Sequence, residues 1–177
     1  MTREKMKHAI PPRKKTLLKK DPGTQEWDEV NVLKFQAIAF EFYDFIIANV
    51  KEYKAYFIDK TLTIAKARQN NAYILFRPVG LFILARLYTY FKKKGDLVKL
   101  KKTINKIGFI APNSPYNQVL WNGGAMEAKE GSQVIAFNLT LYLLNEYPVG
   151  NTDALLKKYR EITKKPRAKL PKPIVVS

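Results

Sequence analysis

From about Val30 the apolar positions Val32, Leu33, Phe35, Ile38, Ala39, Phe42, Phe45, Ile46 and Val50 recur at steps of three and four residues. That is the spacing of a wide apolar face on a helix, and Glu41, Asp44 and Glu52 fall on its opposite side. Residues 53–71 remain apolar with less regularity, which predicts a second helix or a helix and a short extended piece. A denser apolar stretch follows over residues 70–95, interrupted by Arg77 and Pro78. Proline has no backbone N–H and disfavours the α conformation in the residue before it. Arg77 is therefore expected to be extended and Pro78 to occupy the first turn of a new helix. This helix runs through Leu81, Leu84, Leu87, Tyr88 and Phe91 and ends at Lys92, Lys93, Lys94 and Gly95, a set of cations and a glycine that suits a helix C-terminus.

The same grammar returns on a smaller scale at residues 96–108. Asp96 opens a short helix, Leu97, Leu100, Ile104 and Ile107 share one face, and Gly108 stops it. Residues 109–126 read as a structured loop, in which Ser114 and Pro115 are a good N-cap and first helical position and Asn122 with two glycines supplies a tight turn. Trp121 between them reads as a packing anchor ahead of a base-stacking platform. A Leu-rich helix precedes Pro148, and a last amphipathic helix begins at Thr152 and Asp153. The final residues are basic and proline-rich, extended, and placed to dock through Ile174 to Val176.

These elements predict an all-α chain: a single compact helical domain of about five to six helices over residues 30–163, a basic flexible arm at 1–29 and a basic tail at 164–177. At 177 residues and 46% hydrophobic content the chain can bury a core of that kind. The apolar stretch around Arg77 is long enough for a membrane span, but Arg77 and Arg86 would each cost about 2.5–3.5 kcal/mol at the bilayer centre, so no span is expected. The first twenty residues carry charge without the apolar run of a secretory signal, which points to a cytoplasmic protein.

Charge changes the picture more than composition does. The formal net charge is +17, and residues 1–20, 92–106 and 151–177 together hold more positive charge than that total, so the rest of the chain is slightly acidic. Concentrated cations attract phosphate backbones, and the candidate contacts are Lys92, Lys93, Lys94, Lys99, Lys101, Lys102 and Lys106, the arm residues Arg13, Lys14 and Lys15, and the tail residues Lys164, Lys165 and Arg167. A solvated basic face is the plain alternative. With no cysteine and one histidine, His8, the chain cannot assemble a Ser-His-Asp triad, a Cys-His pair or a multi-histidine metal site. Carboxylate clusters at Glu26, Asp28 and Glu29 or at Glu127 and Glu130 are the remaining route to metal chemistry, and they lack a histidine partner. The glycines do not form a phosphate cradle. No catalytic residue, cofactor or metal is expected, so the reading is of a non-enzyme.

The order of "LFRPVGL", a helix, a lysine-rich helix, "SPYNQVLWNGGAMEAK", a Leu-rich helix and "LLKKYREIT" resembles the C-terminal region of DGQHR-domain proteins, relatives of the regulator of DNA-sulfur modification within a ParB-like superfamily. The motif residues that carry the resemblance are Arg77, Pro78, Gly80, Trp121 and Asn122. The Asp-Gly-Gln-His-Arg signature of those proteins is absent, so the chemistry tied to it does not transfer. The resemblance implies a helical portion acting alone or beside a separate subunit that carries the missing N-terminal domain, in DNA modification or phage defence.

Two binding functions therefore stand ahead of catalysis. The first is a non-catalytic module that binds DNA or docks on a DNA-bound complex; the second is an RNA-binding or ribosome-associated basic protein. For the second, Tyr53, Tyr56, Tyr73 and Tyr90 are the candidate stacking rings, although tyrosines at helical spacing more often belong to a core. Arg77 is expected to be architectural, held at the helix entrance by a carboxylate or by backbone carbonyls.

Overall fold

The computed structural model describes residues 29–68, 73–113, 115–122, 125–126 and 129–174, with the backbone alone at Glu29 and Val30. The expected arm, with Arg13, Lys14, Lys15 and His8, lies outside these residues, as do Glu26, Asp28 and Glu127. Among the described residues there are seven α-helices and one two-stranded ribbon, so the chain is mainly α as its periodicity predicts, with slightly more helices than expected. The chain divides into two units at Phe40 and Glu41, inside the first helix, α1 (Glu29–Asn49). Of the first unit only the opening of α1 is described, and its Leu33, Phe35, Ile38 and Phe40 side chains are exposed.

The second unit begins with the rest of α1, which buries Phe45 and Ile46, and Val50 just past its end is buried too. The helical run breaks at Val50, whose φ of −97° and ψ of 113° are extended, and resumes as α2 (Lys51–Phe57). The polar groups freed by this break are met from far along the chain. Asn105 donates from Nδ2 to the Asn49 carbonyl at 2.7 Å and accepts from the Lys51 N–H at 3.0 Å, so one side chain serves the end of α1 and the start of α2. The described part of the less regular segment, residues 53–68, holds the rest of α2, a turn, and α3 (Ile64–Arg68), and residues 69–71 lie outside the described residues.

A 3₁₀ turn at Ile74–Phe76 leads to Arg77, which is extended at φ −122° and ψ 154°, and Pro78 takes the first position of α4 (Pro78–Lys94). The junction thus has the geometry its sequence predicts. Tyr53 fastens it from outside by donating its hydroxyl proton to the Leu75 carbonyl at 2.6 Å. Gly80 has a second and stricter role. A Cβ there would lie 2.1 Å from the Ile74 oxygen and 2.7 Å from the Leu75 Cα, so α4 passes over the 3₁₀ turn at a distance only glycine permits.

Helix α4 is the centre of the unit. Val79, Ile83, Leu84, Leu87, Tyr88 and Phe91 are buried along it, each worth about 1.5–3 kcal/mol for a fully buried large apolar side chain. The polar guest in this apolar run, Arg86, lays its guanidinium over the rings of Phe82 and Phe137, 4.6 and 5.4 Å from their centroids. That sandwich, and not a membrane, accommodates the charge. Among the described residues no helix is long and apolar enough to cross a membrane.

Gly95 ends α4 in the left-handed conformation at φ 75°, with its N–H and that of Asp96 turned back to the carbonyls of Lys92 and Phe91. Asp96 then caps α5 (Leu97–Thr103) by accepting from the Lys99 N–H at 3.1 Å. Leu100, Ile104 and Ile107 are buried and Leu97 is half-buried, which is the face the spacing predicts. The helix itself gives way at Thr103 to a 3₁₀ turn, Ile104–Lys106, before the glycine.

The stretch expected to be a structured loop forms turns, and the helical position that Pro115 suggests is not taken up. Ser114 lies outside the described residues, and Pro115 to Leu120 run as turns whose buried members are Pro115, Tyr116, Val119 and Leu120. The Leu120 N–H donates to the Tyr116 carbonyl and the Gln118 N–H to the carbonyl of Trp121 just beyond, so the apolar side chains anchor a loop. The ribbon that follows pairs β1 (Trp121–Asn122) with β2 (Ala125–Met126), Trp121 opposite Met126 and Asn122 opposite Ala125. Helix α6 (Glu130–Leu143) packs on α4, and α7 (Thr152–Thr163) packs on α6. After the left-handed cap at Lys164 the tail returns across the unit: Leu170 and Ile174 are half-buried on the core and the Ile174 N–H donates to the Leu143 carbonyl at 2.7 Å. The tail docks through Ile174, while Val175 and Val176 lie outside the described residues.

Candidate nucleic-acid interface

The lysines of residues 92–106 begin in the last turn of α4 and continue over α5, two elements set end to end by Gly95 and Asp96. The packing sorts them. Lys94 and Lys99 converge on Glu146, which follows α6 and whose side chain is only 2% exposed. Lys94 Nζ lies 2.6 Å from Oε2 and Lys99 Nζ 2.5 Å from Oε1, so each carboxylate oxygen has its own ammonium. The Tyr90 hydroxyl adds a third donor to Oε2 at 3.0 Å. Burial alone would push the Glu146 carboxyl up, but the hydrogen bonds from Lys94, Lys99 and Tyr90 outweigh it and hold the group below its ordinary value. The same bond to Glu146 raises Lys94.

Lys92 has a partner of another kind. Its ammonium meets Glu41 at 2.5 Å, but both side chains are about half exposed, and water and salt screen such a pair. The hydrogen bond with Lys92 lowers Glu41 and raises Lys92 in return. Lys93, Lys101, Lys102 and Lys106 are exposed and form no ion pair among the described residues. In the tail, Lys164, Lys165 and Arg167 are likewise exposed at the end of α7. A shallow open depression of about 650 Å³ runs along that helix, lined by Asp153, Leu156, Lys157, Arg160, Glu161 and Lys164 with Pro166. Its mixed charge gives it no single electrostatic character.

The residues of the motif are structural in placement. Arg77 is half-buried at the head of α4 and in contact with other residues, Pro78 is exposed, and Gly80 is buried against the turn beneath it. Trp121 is half-buried against the core and Asn122 is exposed in the ribbon. Three of the four tyrosines weighed as stacking platforms have other occupations. Tyr53 is buried, Tyr56 meets the edges of Phe57 and Phe76, and Tyr90 bonds to Glu146. Tyr73 forms a backbone bridge to Ile110.

Glu130 is exposed at the start of α6, and among the described residues no group of three His, Cys, Asp or Glu side chains is placed to hold a metal ion. Two residues that matter to this region, Glu146 and Asn105, do not stand out in the sequence. The signal for Glu146 is slight: an acid at the end of a Leu-rich helix in a strongly basic chain. The sequence matches no protein-family model, and no curated protein or solved structure matches it either.

Proposed function

We propose that this chain is a non-catalytic helical module that binds nucleic acid through its phosphates. The observation that carries the reading is the concentration of exposed lysines on and beside α5, matched by a second basic group after α7, in a chain of net charge +17. Phosphate contacts by lysine give affinity without sequence reading, because the ammonium meets the backbone and not the base edges. The resemblance to DGQHR-domain proteins favours duplex DNA over RNA, a cytoplasmic role in DNA modification or phage defence, and a separate subunit carrying the N-terminal domain.

Binding of a labelled duplex to the full chain, followed by fluorescence anisotropy across a salt series, tests this. Each phosphate contact contributes a slope of about −0.9 in log affinity against log salt. A steep negative slope and preference for duplex DNA over RNA of equal length are expected. Affinity that barely changes with salt would overturn the phosphate reading, and preference for RNA would move the function to the RNA-binding alternative.

A further inference from the structure

Resting on that reading, we infer that the lysines of residues 92–106 have two separate jobs: Glu146 withholds Lys94 and Lys99 from any polyanion, and the phosphate-contacting strip is Lys101, Lys102 and Lys106. The division follows from where each ammonium finds its counter-charge. Glu146 is 2% exposed and uses both carboxylate oxygens on these two lysines. A phosphate that captured Lys94 or Lys99 would take from this buried carboxylate one of its two ammoniums, and capture of both would leave it with Tyr90 alone; a buried charge deprived of its partner is strongly disfavoured. The phosphate would also approach a fixed negative charge at close range.

Lys102 and Lys106 face no such competition. Lys102 is exposed at the end of α5 and Lys106 is exposed at the end of the 3₁₀ turn that follows it, so both stems are open to solvent. Lys101 is exposed beside them, with its ammonium 6.0 Å from the Phe45 ring centroid. Release of any of the three to a phosphate breaks no ion pair. The Glu41 pair of Lys92 is exposed on both sides and exchanges with solvent, so it sets no comparable lock. Of the seven lysines that are equivalent by sequence, two thus become a fixed pair around Glu146 and three an available strip over α5 and the turn after it, with Lys92 in its exposed pair and Lys93 at the end of α4 outside both groups.

The test compares three variants of the full chain on the same labelled duplex, reading the salt slope by anisotropy and the melting temperature by circular dichroism. Replacing Lys101, Lys102 and Lys106 together by alanine should flatten the slope by up to about 2.7 with melting unchanged. Replacing Lys94 and Lys99 by alanine should leave the slope as it is and lower the melting temperature. Glu146→Gln, which removes the competing charge, should steepen the slope by up to about 1.8 as two ammoniums become available. A triple variant that keeps the full slope overturns the assignment while leaving phosphate binding in place. So does a Lys94/Lys99 variant that flattens the slope without a change in melting. A wild-type slope near zero overturns the phosphate reading itself, and the assignment with it. Because the triple variant alters only exposed positions, the comparison stands even if the other two fail to fold.

Discussion

Gly80→Ala is the substitution with the most unusual expected sign. In an ordinary helix interior this change is stabilising by about 0.5–1 kcal/mol, since alanine restricts the unfolded chain and suits the helix. At Gly80 the added Cβ would lie 2.1 Å from the Ile74 oxygen, 2.6 Å from the Ile74 carbonyl carbon and 2.7 Å from the Leu75 Cα. All three are backbone atoms, so no rotamer change relieves the overlap, and α4 or the 3₁₀ turn has to shift. Overpacking of this kind costs about 1–3 kcal/mol, and the backbone identity of the obstacles places this case at the upper end. The shift would also pull the Leu75 carbonyl from the Tyr53 hydroxyl, a 2.6 Å bond worth about 1 kcal/mol. Against the helix-propensity gain, a net loss of roughly 2–3 kcal/mol is expected, or about 4–12 °C in melting temperature for a chain of this size. Gly131→Ala is the control: it sits in the first turn of α6 with nothing within 4 Å of its Cβ position, and it should leave melting unchanged or raise it slightly. Thermal and urea melts followed by circular dichroism decide the matter. If Gly80→Ala melts at or above the wild-type temperature, α4 does not approach the turn as closely as described, and the account of the glycine fails.

The other predictions concern the polar groups that packing has enclosed. Glu146 has its carboxyl lowered in the folded chain, so its contribution to stability is present above the ordinary value of 4.5 and is lost as pH falls through the lower folded value. Glu146→Gln should therefore lose part of that decline, and acid melting profiles parallel to wild type would refute the ion-pair account. Tyr116 and Thr140 share a buried hydrogen bond of 2.9 Å, and the Thr140 hydroxyl already donates to Ala136, so Tyr116 is the donor. Tyr116→Phe should cost about 0.5–1.5 kcal/mol, whereas Thr140→Val strands the buried phenol and should cost about 1–3 kcal/mol; urea melts showing the reverse order would contradict this hydrogen-bond direction. Asn105→Ala removes both bonds at the α1–α2 break and should destabilise by roughly 1–2 kcal/mol, with faster amide exchange at Lys51, while unchanged exchange there would remove the side chain from its bridging role.

The local signals proved sufficient wherever one residue and its immediate neighbours decide the backbone. Pro78 set a helix start because a missing N–H and a restricted φ act within one turn. Gly95 and Asp96 set a stop and a restart for the same short-range reason. Ser114 and Pro115 carry an equally good local signature inside a stretch whose other residues read as a loop, and Pro115 to Leu120 form turns, since Tyr116, Val119 and Leu120 are drawn into the core from that loop. There burial outweighed propensity. The lysines were legible as a basic segment, but not their division, because Glu146 lies 47 residues from Lys99 and 52 from Lys94.

What the chain determines by itself is therefore its helical class, the helix ends at Pro78, Gly95, Asp96 and Thr152, and the places where positive charge accumulates, all of which depend on periodicity and on residues within a turn of one another. The tertiary structure decided which charges are spoken for, why position 80 must be glycine, and which side chain closes the break at Val50. Those outcomes depend on elements brought together from tens of residues apart. A buried carboxylate, a backbone crossing and an uncapped helix end each require a partner, and only the packing of α4 against its neighbours determines which residue supplies it.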